Sequence, residues 1–338
     1  EDGGAKQQAK AMTERGLDAT YGGGKAEFHR MDVARSDLGL SKDVYARMLK
    51  EADRIIINAW PVNFNIPVES FDPHLRGVRN IGDLAAKAER RVAVVFISSI
   101  GTIQNWDANK GLIPEEKLTD LSLPSGGYGR SKLIGGLILE DVARSADFPA
   151  AVIRVGQIAG PEADAGVWNR HEWLPSIVAS SLYLKALPND LGSMDRVDWT
   201  PVESIAKMVL EVIGATQQVD PGNVSGYFHG VNPVATTWEQ IAPAVREYYG
   251  RDRLPETVSF KEWVDRLQAS QTDDTKAVDQ NPGIKLLDSY RAMSDAVEAG
   301  HRPVVLETKR TQAQSPTMDR CQAITQDLMK QWCKHWDF

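Results

Sequence analysis

Cysteine is nearly absent: Cys321 and Cys333 are the only two among 338 residues. With no second pair there is no disulfide framework and no thiol-built zinc site. Two inert thiols on one C-terminal helix, in a reducing compartment, are the expectation. Long apolar runs are missing too. The longest, Val92 to Ile100, falls far short of the roughly 20 residues that span a bilayer. No charged-then-apolar leader opens the chain, so a cytoplasmic protein with no membrane partner is predicted. Nor is there an excess of positive charge. Lys and Arg number 39 against 46 Asp and Glu, a net charge of -7, which argues against nucleic acid as a partner. No internal repeat or low-complexity tract is present. What remains is an ordinary globular composition, 42% hydrophobic and 25% charged, enough for one large domain or two modest ones.

The first two-thirds of the chain alternate strand-like and helix-like segments, the pattern of a parallel sheet covered by helices. Helices are predicted over 5–15, 42–52 and 126–146. Strands are predicted over 26–31, ending at Asp32-Val33, and over 53–58, 92–99 and 150–155. Asp72-Pro73 supplies an N-cap and an N1 proline for another helix. Further strands are expected around Val197–Thr200 and Tyr227–Val231. The last hundred residues read as mostly helical, with capping boxes at Thr237-x-x-Gln240 and Ser259-x-x-Glu262. Residues 270–282 read as a surface loop. The fold class is therefore α/β, a doubly wound parallel sheet of Rossmann-like type. A smaller, mostly helical part is built from 161–195 and about 236–338.

One ordered set of residues carries chemistry. Ser98-Ser99 closes the strand VAVVFISS, and Tyr128 and Lys132 stand at i and i+4 on one face of a long helix. Asn58 ends the preceding strand. All would meet at the C-terminal ends of parallel strands, where ligands bind in such sheets. A phenol has a pKa near 10, too high for efficient proton transfer at neutral pH. A lysine ammonium one turn away would lower it, and the tyrosine could then protonate a carbonyl oxygen as hydride reaches its carbon. The serine would hold the same oxygen, and the lysine could bond a nicotinamide ribose. A bare Y-x-x-x-K arises by chance about once in every few chains of this size, so its placement after a serine at a strand end is what gives it weight.

The segments Asn58-Ala-Trp-Pro-Val-Asn-Phe-Asn65, His74-Leu-Arg-Gly-Val-Arg-Asn80, Phe96-Ile-Ser-Ser-Ile100 and Gly127-Tyr-Gly-Arg-Ser-Lys132 extend the pattern. So do Arg154-Val-Gly-Gln-Ile-Ala-Gly-Pro161, Gly166-Val-Trp-Asn-Arg170, Glu172-Trp-Leu-Pro175 and Asp195-Arg-Val-Asp-Trp199. Together they resemble the terminal thioester reductase domains of fungal nonribosomal peptide synthetase-like and polyketide synthase enzymes, which are extended short-chain dehydrogenase/reductases. The resemblance runs from about residue 5 to Trp336-Asp-Phe338. It implies an NADPH-dependent reductase of an acyl thioester held on the phosphopantetheine arm of a carrier protein, within a larger multidomain synthetase. The product would be an aldehyde, or an alcohol after a second reduction. Ser99, Tyr128 and Lys132 would be catalytic. Asp32 and Val33 would lie at the adenine side, Asn58, Ala59 and Trp60 would line the cofactor, and Val155, Gly156, Gln157 and Ile158 would pass beside the nicotinamide. Residues 1–160 plus about 196–235 would form the cofactor domain, and 161–195 plus about 236–338 the substrate and carrier-protein domain.

Trp168, Asn169, Arg170 and Trp173 match a segment over the substrate channel in that family; wall of the acyl tunnel and aromatic core of the small domain are both open readings. His229 reads as a satisfied core residue rather than a metal ligand, and no metal site is expected. Arg170, Lys185, His301, Arg302, Lys309 and Arg310 are the basic candidates for docking an acidic carrier protein. The family's first strand, its T-G-x-x-G-x-x-G loop, the following helix and a second strand have no counterpart here. Gly22-Gly23-Gly24 reads as a turn, not as that loop. Without those strands, 26–31 would stand about two spacings of 4.8 Å from 53–58. Two other readings stay open beside reductive release: a redox-inactive domain that closes a ring by carbon–carbon condensation of Dieckmann type, and a truncated, non-catalytic fragment.

Overall fold

The computed structural model describes residues 2–20, 25–272, 274–300 and 303–338; Gly22-Gly23-Gly24, His301 and Arg302 lie outside them. The chain forms two units. The first holds residues 1–157, 203–231 and 304–320; the second holds 158–202, 232–303 and 321–338. These bounds differ from the expected ones chiefly in the segment 304–320, which belongs to the sheet-bearing unit.

In the first unit four strands form a parallel sheet in chain order: β1 (Arg54–Ile57), β2 (Ala93–Ser99), β3 (Ala150–Val155) and β4 (Gly226–Gly230). β3 is buried along its whole length, as a near-continuous apolar run covered on both faces should be. The helices that precede β3 are α1 (Asp2–Glu14), α2 (Lys42–Glu51), α3 (Asp72–Lys87) and α4 (Gly126–Ala146). Leu84 of α3, Leu139 of α4 and Phe96 of β2 belong to one apolar cluster. Asp72 is the first residue of α3 rather than its cap, and Phe71 holds the cap position.

Residues 26–31 are not a strand. A strand needs a neighbour to accept its ladder, and among the described residues β1 pairs only with β2. The segment is held instead by side chains and by a turn. Glu27 pairs with Arg47, and Asn80 Nδ2 donates to the Val33 carbonyl at 2.9 Å. The Asp32 amide donates to Leu38 O at 2.9 Å. A cleft of about 380 Å³ lies here, lined by Met31, Val33 and Leu38, by residues 54–60 of β1 and its exit, and by His74 of α3.

The 304–320 segment explains why β4 keeps a buried histidine. His229 Nδ1 donates to Glu307 O at 2.7 Å, so Nε2 is unprotonated and accepts from the Arg154 guanidinium at 3.1 Å. Burial, then the Arg154 charge, pushes the imidazole down to about 3. Glu115 accepts from the Arg310 and Thr311 amides at 2.6 and 2.9 Å. Arg310 is thus committed to β4, its guanidinium stacked over Phe228.

The second unit has an aromatic core. Trp168 packs edge-on against Trp199 and Trp332, with centroids 5.9 and 5.0 Å apart. The helices 238–249, 260–269, 287–298 and 326–336 contribute Trp238, Trp263, Tyr290 and Trp332. The Ser259 hydroxyl caps its helix by accepting from the Glu262 amide, whereas Thr237 makes no side-chain cap and Thr236 meets Gln240 instead. The expected loop 270–282 contains a short helix, Thr275–Gln280, capped by Asp274. The polar composition of this stretch reflects its exposed face and hid the helix. The cysteines do not share a helix. Cys333 is in 326–336 and Cys321 precedes it. Both are buried free thiols, pushed up to about 12 and about 11 by burial.

Candidate active site

β2 delivers Ser99 at its C-terminal end, one register position across from Val155 at the end of β3. The chain then tightens into a short turn, Ile100–Thr102, in which Ser99 Oγ accepts from the Gly101 amide at 3.1 Å. The first turn of α4 lies directly on it. A Cβ on Gly129 would sit 2.4 Å from Gly101 O, and one on Gly127 would sit 2.2 Å from Ile66 O. These two glycines let the helix reach the strand end, which is what brings Tyr128 to Ser99. Gly129→Ala is therefore expected to cost about 1–3 kcal/mol by overpacking and to abolish activity with it. A thermal melt checks this against Gly3→Ala, whose added methyl meets nothing and whose midpoint should not fall.

Tyr128 is 9% exposed. Its ring has Phe64 at 4.8 Å and Phe71 at 6.3 Å, both edge-on. Burial raises the phenol above its ordinary value, and the hydrogen bond with Ser99 offsets part of that. Lys132, one turn on, is 3% exposed. Its Nζ donates to Ile97 O at 2.6 Å and stands over the rings of Trp60 at 4.7 Å and Phe96 at 4.9 Å. Burial brings the ammonium down to about 7. In this arrangement the shift on Tyr128 is upward, opposite to the direction the sequence suggested. Desolvation is the largest cause for each group, and the ammonium is turned to a carbonyl.

Trp60 orders this corner. Its Nε1 donates to Ser131 Oγ at 3.2 Å, and Ser131 Oγ donates to Tyr128 O at 2.8 Å. His74, which opens one of the segments that carry the resemblance but was given no role, lies 5.4 Å from the Trp60 ring. Its Nδ1 is buried without a hydrogen-bond partner, and burial, then the Lys132 charge, lowers its pKa. Its signals in the sequence were its place in the segment 74–80 and its position just after Asp72-Pro73. Phe64 lay in the segment 58–65 without a role, and Phe71 was unmarked.

The remaining expected residues fall in several places. Asn58 and Ala59 are exposed just past the end of β1, and with Trp60 they line the 380 Å³ cleft. Val33 lines the same cleft. Asp32 is exposed, and its carboxylate accepts from the Ala34 amide at 3.1 Å. Gly156 donates its amide to Gly230 O at 3.0 Å, and Gln157 follows it. Ile158 opens the second unit, where it pairs with Thr200. Trp168, 3% exposed, is core in that unit, with Nε1 donating to Glu172 at 2.9 Å. Trp173 packs on Trp199 at 5.8 Å. Asn169 accepts from the His171 amide, and the Arg170 guanidinium stacks on Phe338 at 4.8 Å. Among the described residues no cluster of His, Cys, Asp or Glu could hold a metal ion, and no helix is long and apolar enough to cross a membrane.

These residues fit one half of a nicotinamide dinucleotide. The exposed Asn58 and Ala59 at a strand end, followed by Trp60 with the Lys132 ammonium over its ring, would suit a nicotinamide riboside. For the pyrophosphate, a glycine-rich strand-to-helix turn is absent among the described residues.

Known proteins resemble this chain closely. A family model described as male sterility protein, an NAD-binding family, matches residues 4–209. The chain is 50% identical over 338 residues to a carboxylic acid reductase of Neurospora crassa, covering all of this chain and 32% of that protein. It is 31% identical over 354 residues to the adenylate-forming reductase Nps11 of Serpula lacrymans, covering 98% of this chain and 31% of that protein. The chain thus spans about a third of the length of these curated relatives. Among solved structures it is similar to the terminal R domain of the myxalamid PKS-NRPS pathway. The TM-score there is 0.71 at 21% identity, over 90% of this chain and 73% of the other. A thiolation-reductase di-domain of an archaeal nonribosomal peptide synthetase gives a TM-score of 0.72 at 16% identity, over 98% and 66%. At these identities the likeness is one of fold.

Proposed function

Since the chain belongs to the male sterility protein family, within the extended short-chain dehydrogenase/reductases, we propose that it reduces an acyl thioester to an aldehyde, and in a second round to an alcohol. The thioester is carried on the phosphopantetheine arm of a carrier protein. The observation that carries this reading is the placement of Ser99 at the end of a parallel strand against the first turn of the helix that bears Tyr128, with Lys132 one helical turn on. When bound, reduced nicotinamide, as NADPH, supplies the hydride. The chain's own residues do the rest. Ser99 and Tyr128 hold the thioester carbonyl oxygen. Tyr128, kept protonated by burial, gives that oxygen its proton as the carbon is reduced. The resulting hemithioacetal expels the pantetheine thiol and leaves an aldehyde. Lys132, with a pKa brought to about 7, can bond ribose hydroxyls and return a proton to the phenolate. Asn58, Ala59, Trp60, Val155, Gly156, Gln157 and Ile158 would flank the nicotinamide end, and Asp32 and Val33 the adenine end.

The carrier protein would belong to the same large synthetase, as the names of the reductase and synthetase relatives suggest. The test is to offer an acyl-pantetheine thioester with NADPH, follow NADPH consumption, and identify the product by mass. Consumption with aldehyde or alcohol supports the reading. A cyclised product without NADPH consumption, or no product from a folded chain, overturns it.

A further inference from the structure

The loop from Ala59 to Pro67 leaves two large apolar side chains in the open, Val62 at 70% and Phe64 at 68% exposure. Free apolar side chains at a loop tip are common and mean little. Phe64 differs in being fixed and in what it touches. The Asn65 amide donates to Asn63 Oδ1 at 2.9 Å, closing a turn around it. Just downstream, Ile66 O lies where a Cβ on Gly127 would be, 2.2 Å away. The backbone is thus pressed onto the helix turn that carries Tyr128. The Phe64 ring stands edge-on to the Tyr128 ring at 4.8 Å, while Phe71, fully buried, closes another side. One aromatic neighbour of the proton donor is core; the other is two-thirds exposed and unmatched.

We propose that Phe64, with Val62 two residues before it in the same loop, forms the acyl-selecting wall of the site, taking an apolar acyl chain attached to the carbonyl held by Tyr128. This rests on the reductase reading for the identity of the carbonyl. A carbonyl oxygen bonded to the phenol places its own carbon substituent near the Tyr128 ring edge, where Phe64 is the large apolar surface left to receive it. Burying several methylenes there, at about 0.8 kcal/mol each, favours a chain over a lone methyl. Acetyl groups would reach Tyr128 without touching the wall.

The experiment measures binding, so that it does not depend on hydride transfer. Hexanoyl- and acetyl-pantetheine amides, in which nitrogen replaces the thioester sulfur, are titrated against the full chain by calorimetry. Wild type should bind the hexanoyl analogue at least tenfold more tightly. Phe64→Ala should lose about tenfold for hexanoyl and leave acetyl unchanged, and Phe64→Leu should restore most of the loss. Equal weakening of both analogues would show that Phe64 only steadies Tyr128, and no preference in wild type would also overturn the proposal. A Phe64-dependent preference in a chain that reduces no thioester would leave the acyl wall standing and remove the reductase reading instead.

Discussion

Tyr128→Phe should lower kcat for thioester reduction about a thousandfold, within the range general-acid catalysis contributes, while NADPH affinity changes little. The argument is geometric. The tyrosine ring is packed by Phe64 and Phe71, and phenylalanine keeps those edges, so the helix start and the strand end stay where they are. The hydroxyl alone is lost, and with it the proton that must reach the carbonyl oxygen. A steady-state assay with a parallel NADPH titration separates the two quantities. Equal loss of kcat and of cofactor binding would mean the residue holds the cofactor instead. Burial raises the Tyr128 pKa, so the phenol is protonated below about 10, its ordinary value. Its own titration should therefore leave the rate of reduction flat through neutral pH, with loss appearing only on the far alkaline side.

The placement of the candidate residues was legible because it rests on periodicity and on strand ends. Ser99 at the end of an apolar strand, and Tyr128 and Lys132 one turn apart on a helix, need only local geometry, and the structure brings them into one corner. What surrounds them was not legible. Trp60 over the lysine ammonium, His74 against Trp60 and Phe64 against Tyr128 are contacts between segments, and no spacing in the sequence announces them. The direction of the Tyr128 shift was missed for the same reason. Sequence gives the proximity of a lysine, but desolvation depends on what covers both groups.

The fold shows a similar division. β1, β2, β3 and α4 follow from apolar runs and a long amphipathic repeat. The segment 26–31 has the composition of a strand but no partner in the described residues, and pairing decides where composition is neutral. In the second unit Trp168 and Trp199 look alike in sequence whether they face a channel or a core. Trp168 lies against Trp199, Trp332 and Trp336, the last two contacts made across more than a hundred and sixty residues of chain.

Lys132→Met should abolish reduction and yet stabilise the chain, by more at pH 6 than at pH 9. The lysine is 3% exposed, and burial has brought its pKa from 10.5 to about 7. The unfolded chain keeps the proton up to about 10.5, whereas the folded chain gives it up near 7. Between those values the unfolded state binds more protons, so wild-type stability rises with pH at about 1.4 kcal/mol per unit. Below pH 7 the folded protein carries the full cost of a buried ammonium, which the Ile97 carbonyl and the Trp60 and Phe96 rings offset only in part. Methionine fills similar space without a charge, so it removes that cost. The expected gain is a few kcal/mol at pH 6 and about 3 kcal/mol less at pH 9, read from urea midpoints at the two pH values. A gain independent of pH would mean that the lysine titrates normally and is more hydrated than its surroundings suggest. A loss at both would mean that the hydrogen bond to Ile97 O holds α4 against β2. An activity cost joined to a stability gain is what a group retained for chemistry should show.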